Sequence, residues 1–240
     1  MSDTSIISDL VPFGSAFLGA GTAYLLGLRK DRSIKFSSER AVVVRNFFVL
    51  KTQFDELLSL KKTYVLPVEF RACRFIEMPW SLNRSELSFE LETDVFSIFI
   101  ENGSPQVADL LVIAQNRHKV LRDIHVKRNE YIQLYYSALE SSGYEIFTDL
   151  TNDQIRKSFG LSNLCQLYNL SETFINYLDD AIISLYAALN DYSNFISSNY
   201  SDKNMRFLRY ELLGDNVKLI QPSELPRIQG LEHLAKIFKQ

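Results

Sequence analysis

Along most of the chain apolar residues recur every three or four positions, and the exception lies near the start. Residues 10–28, LVPFGSAFLGAGTAYLLGL, are nineteen residues without a charge and without a polar stripe. At a helical rise of about 1.5 Å per residue the run is roughly 28 Å long, close to the ~30 Å hydrocarbon core of a bilayer. A helix with no side suited to water points to lipid around it, so the run is expected to be a transmembrane helix. Asp3 and Asp9 precede it, whereas Arg29, Lys30, Arg32, Lys35 and Arg40 follow it. Positive charge collects on the cytoplasmic side of a span, so the expected topology is N-terminus outside and domain inside. A cleaved signal peptide would carry its positive charges before the apolar run.

Ser15, Gly19, Ala23 and Gly27 recur every fourth position in this run. They form a small-residue ridge along one side, which in lipid lets two backbones approach closely. The expected partners are therefore the lipid bilayer and further copies of the chain. Tyr24 and the basic residues after it suit the inner interface.

The remainder reads as helical. In residues 38–60, Val43, Val44, Phe47, Phe54, Leu57 and Leu58 give an amphipathic helix that continues the membrane helix as a stalk. Pro67 and Pro79 interrupt the next stretch, where a short helix is expected over residues 68–77. Leu87, Phe89 and Leu91 alternate with polar residues like a single strand, and Asp94 to Ile100 reads as a short helix stopped at Asn102-Gly103. A long helix is predicted over residues 105–142, with Ser104 as N-cap and Pro105 at its first position. Its core face is Val107, Leu110, Leu111, Ala114, Leu121, Ile132 and Tyr135. Thr151 and Gln154 form a capping box for a helix ending at Gly160. A second long helix is expected after Ser171, with Phe174, Leu178, Ala181, Leu185, Ala188, Tyr192 and Phe195 as a heptad-like seam packed on the first. Met205, Leu208 and Leu212 continue helically, and Ile228, Leu231, Leu234 and Phe238 mark a C-terminal amphipathic helix. The fold class is all-α: a membrane anchor over residues 1–32 and a cytoplasmic helical bundle over residues 33–240.

Composition adds little to this picture. A hydrophobic share of 46% supports a real core, and a net charge of −3 gives no overall attraction to nucleic acid. Cys73 and Cys165 lack the spacing of a zinc site or disulfide framework and suit a reducing compartment.

Candidate chemistry is confined to QNRHKVLRDIHVKRNEY, residues 115–131. His118, Arg122, His125 and Asn129 share one side of the long helix. Two histidines seven apart, without carboxylates on that ridge, do not match a zinc site, and no cofactor is expected. The first reading is that this polar cluster bonds to neighbouring helices or lines a subunit contact. Lys119, Arg122, Lys127 and Arg128 could instead bind phosphate, but without interleaved aromatics nucleic acid is the minority partner. No G-x-S-x-G, phosphate-cradling glycine loop or paired carboxylates are present.

The stretch SELSFELETDVFSIFIENGSPQVADLLVIAQNRHKVLRDIHVKRNEY, behind a glycine-rich span, resembles a loose group of bacterial single-pass, membrane-anchored, all-helical proteins. More distantly it resembles the membrane-anchored HEPN-type accessory proteins of RNA-targeting CRISPR systems. The resemblance implies the bacterial inner membrane, a protein partner, and an effector or accessory role in stress or anti-phage defence. It also implies an alternative, a membrane-tethered HEPN-like ribonuclease. HEPN enzymes place Arg, often followed by Asn, with His four to six residues beyond. Here Arg128-Asn129 is followed by Gln133 in place of the His, which removes the proton-transfer group. Arg227 and His233 have the spacing, but Pro226 precedes them and Gly230 interrupts them.

Overall fold

The computed structural model describes residues 4–80, 90–145, 149–200, 214 and 216–238, with helix backbone alone for residues 4–19. It is all-helical, with no strand among the described residues. The chain divides into two compact units, Met1–Arg45 and Asn46–Gln240, and the division falls inside the first helix, α1 (Thr4–Leu60).

The first unit is a helical segment whose side chains from residue 20 to residue 38 are all exposed. Among the described residues no helix is long and apolar enough to cross a membrane. The side chains of residues 10–19, half of the apolar run, lie outside the described residues.

The second unit contains the core. Phe47, Phe54, Leu57 and Leu58 are buried as their spacing predicts and Leu50 joins them, whereas Val44 is only half-buried. The helix then widens to a π turn at Lys61–Val65 and tightens to a 3-10 turn at Leu66–Val68. Pro67 has no N–H to continue the α-helical ladder. The helix expected over residues 68–77 is a single turn, α2 (Arg74–Glu77). Leu87 and Phe89 of the expected strand lie outside the described residues, and Leu91 is in irregular backbone.

Helix α3 (Asp94–Glu101) ends at Asn102-Gly103 as expected, and α4 (Pro105–Ser141) follows. Ser104 is the N-cap residue of α4, but its side chain makes no capping bond. The start rests on Pro105, whose fixed φ suits a first helical turn. Leu110 is only half-buried, whereas Val107, Leu111, Ala114, Leu121, Ile132 and Tyr135 are buried.

Helix α5 (Asn152–Phe159) carries both bonds of the Thr151–Gln154 capping box, an arrangement that contributes about 1 kcal/mol. The second long helix, α6 (Leu161–Asn199), begins ten residues before the expected Ser171. Gly160, at φ 83°, both ends α5 and turns the chain directly into α6, a backbone angle that glycine adopts without strain. The seam from Phe174 to Phe195 is buried throughout and packs along α4. Around Tyr192, Phe47 stacks at 5.8 Å and Phe99 meets it edge-on at 5.0 Å. A second cluster joins Phe75, Tyr135, Phe159, Tyr168 and Phe238.

After α7 (Asn216–Leu219) the chain is irregular until α8 (Leu231–Ile237). Ile228, Leu234 and Phe238 are buried as expected, whereas Leu231 is exposed because it opens the helix on its outer side. Met205, Leu208 and Leu212 lie outside the described residues.

Among the described residues, three buried cations tie irregular segments to the helices. Lys61 Nζ lies 2.6 Å from Asp179 Oδ1 and also donates to the Gln221 carbonyl. Asp179 in turn accepts from the Ser223 backbone at 2.6 Å and its hydroxyl at 3.1 Å. Arg74 pairs with both oxygens of Glu172 and donates to the Glu224 carbonyl at 2.7 Å. Arg128 donates to Ser171 Oγ at 3.2 Å, to the Pro79 carbonyl at 3.2 Å, and to the Met78 carbonyl. Each tie replaces the water that a buried charge loses.

Candidate functional site

The polar face of α4 faces two ways. At its first half, α4 meets α1 and the irregular stretch before α3. There Gln53 and Gln115 form a reciprocal amide pair, with Nε2-to-Oε1 distances of 3.2 and 2.6 Å. Asn46 accepts from the Glu92 backbone at 2.7 Å, which fixes the segment leading into α3 against α1. Between these walls lies a groove of about 440 Å³, lined by Gln53, Glu90, Leu91, Phe96, Gln115, Asn116, His118, Lys119, Arg122, Asp123 and Val126.

His118 is only 8% exposed, and no described residue hydrogen-bonds its ring. Burial, with the positive Arg122 as second cause, pushes its pKa down to about 4. It therefore stands neutral at the groove wall. Lys119 is exposed, and no described carboxylate pairs with it.

At its second half α4 turns the same ridge into the core. His125 stacks on Phe174 of α6 at 5.1 Å, and Asn129 Nδ2 lies 3.4 Å from His125 Nε2. Burial, reinforced by Arg128, pushes His125 down to about 4 as well. Arg128 is 1% exposed, and burial lowers even its guanidinium to about 10.

The structure thus separates the predicted residues. His118 and Arg122 reach the groove, while His125, Asn129 and Arg128 face inward. Of the four cations considered for phosphate, Lys119, Arg122 and Lys127 are accessible and Arg128 is not. Arg227 is exposed in the irregular segment, and His233 is exposed on α8, where its Nδ1 accepts from the Gln229 backbone at 3.2 Å. No hydrogen bond joins Arg227 to His233. On α1, Ala23 and Gly27 are exposed, and nothing lies within 4 Å of a Cβ built at Gly27. The Ser15 and Gly19 positions of the ridge belong to the residues whose side chains are not described. Cys73 and Cys165 are free thiols, and burial pushes the Cys73 thiol up.

Several groove residues carry no local sequence signal. Gln53 and Gln115 are 62 positions apart, and only packing of α1 on α4 makes them a pair. Asp179 and Glu172 did carry a signal, since each is a carboxylate set beside the apolar seam of α6.

The two low histidines make stability depend on acidity. An unfolded histidine titrates near 6.5. Between that value and about 4 the unfolded chain binds more protons than the folded one, so stability present above pH 6.5 is lost as pH falls through this window. Thermal unfolding followed from about pH 7 down to about pH 4.5 should show a falling midpoint, with a shallower fall in His118→Gln/His125→Gln. An identical slope in that variant would rule the histidines out as its source.

No family model, curated protein or solved structure matches the chain.

Proposed function

We propose that the chain is a single-pass membrane protein that self-associates through residues 10–28 and presents its helical domain on the cytoplasmic side as an interaction module, without chemistry of its own. The observation that carries this reading is the surroundings of α1. Its side chains are exposed without a break over residues 20–38, including Tyr24 at 68%, Leu25 at 60% and Leu26 at 64%. Apolar side chains left open around a helix mark a surface meant for lipid or another protein rather than for water. The basic residues that follow suit anionic headgroups. Bare space around Gly27 agrees with a ridge kept for a neighbouring helix.

The resemblance to membrane-anchored bacterial proteins extends the reading to an effector or accessory role in stress or anti-phage defence. The ribonuclease alternative gains no such support. The Arg128 guanidinium is occupied by Ser171, Met78 and Pro79 inside the core, out of reach of an RNA phosphate.

The test is membrane fractionation with in-membrane crosslinking. Wild type should resist carbonate extraction and crosslink to itself, whereas Gly19→Leu/Gly27→Leu should stay in the membrane and lose the crosslinked species. Release by carbonate would overturn the anchor, and unchanged crosslinking in the variant would overturn the ridge.

A further inference from the structure

We propose that the groove between α1, the segment before α3 and α4 binds a soluble phosphorylated small molecule of about nucleotide size. Lys119, Arg122 and His118 hold its phosphate, and its less polar body lies against Leu91, Phe96 and Val126. This inference does not depend on where the first unit resides.

Four observations converge on it. His118 is more than nine-tenths buried, lines the groove and has no hydrogen-bond partner among the described residues. An imidazole that lines a cavity and bonds to no described residue is available to a ligand atom there. The second observation concerns charge: the charged group acting on the ring is the positive Arg122. Lys119, next to His118 in sequence, pairs with no described carboxylate. Glu90 and Asp123 also line the groove, but as exposed groups. Third, about 440 Å³ falls within the range of small-molecule sites, and a bare phosphate would fill little of it. Fourth, the Gln53–Gln115 amide pair offers donors and acceptors to the polar edge of that body.

An anion beside the ring favours the imidazolium, so binding draws a proton onto His118. Affinity should therefore rise as pH is lowered from 7 to about 6, by at most about tenfold, and level off below that, where the free phosphate monoester takes up the proton itself.

The chain has three histidines, so the full-length protein in detergent micelles, labelled at its histidine rings, gives a simple magnetic-resonance readout. His118→Gln assigns the signal. Adenosine 5′-monophosphate should move the His118 resonance at lower concentration than inorganic phosphate, and adenosine should not move it. Lys119→Ala/Arg122→Ala should weaken the response at least tenfold. The proposal is overturned by a His118 signal that ignores both phosphates, by equal responses to adenosine and its monophosphate, or by an unchanged response in the double variant. A response confined to phosphatidylglycerol vesicles overturns it too, and assigns the groove to a lipid headgroup.

Discussion

Asp179→Ala should be among the most destabilising single substitutions in the domain, lowering stability by about 3–5 kcal/mol and the melting midpoint by roughly 6–20 °C. Lys61 is 1% exposed, and Asp179 is its counter-charge. Removing the carboxylate leaves an ammonium ion in the core with one backbone carbonyl for company. It also strands the Ser223 N–H, so the segment that leads toward α8 loses its tie to α6. The two effects separate in Lys61→Met/Asp179→Leu, which removes both charges and keeps the volume. That variant should be more stable than Asp179→Ala by calorimetry, because no lone charge remains. Equal or lower stability would place the loss in the backbone tie rather than in the abandoned lysine.

Arg128→Ala is expected to lose a comparable amount, about 3–5 kcal/mol, for a different reason. No described carboxylate pairs with Arg128. Its donors serve three neutral acceptors, Ser171 Oγ and the carbonyls of Met78 and Pro79. Truncation leaves the Ser171 and Met78 oxygens buried without this donor and opens a cavity where α4 meets α6. Arg128→Lys should not recover the loss, since one ammonium cannot reproduce a planar fork spread over three acceptors. Denaturant unfolding of the two variants checks this, and a wild-type midpoint for either would contradict the structural role. The same experiment bears on RNA chemistry. A phosphate-holding arginine would be dispensable for folding, whereas one tying α2 and α6 to α4 is not.

The residues in these predictions show where sequence reasoning reaches its limit. The α6 seam from Phe174 to Phe195 was legible because a helix repeats its buried face every 3.6 residues, which is a property of local spacing. The Thr151–Gln154 box and the glycine stops at 103 and 160 were legible for the same reason, since each acts within four residues. The early start of α6 was not. Ser171 looks like a cap in sequence, but its hydroxyl bonds Arg128 and the Phe75 carbonyl deep in the core. The polar residues of α4 were placed on one side of a helix from their spacing alone. Nothing local shows that its two halves face different surroundings, because that follows from where α1 and α6 end against it.

The sequence by itself determined the helical class, the long helices α4 and α6 with their apolar seams, and the uncharged run near the start, because these depend on residue spacing and on the chemistry of each side chain. Only the tertiary structure decided that Arg128 is a buried tie and His118 a neutral groove wall. It also decided that Lys61 meets Asp179 across 118 positions, and that two glutamines 62 apart close one side of a cavity. The physical reason is that burial and pairing belong to the packed molecule: a charge acquires its partner, its pKa and its accessibility only when distant segments exclude water together.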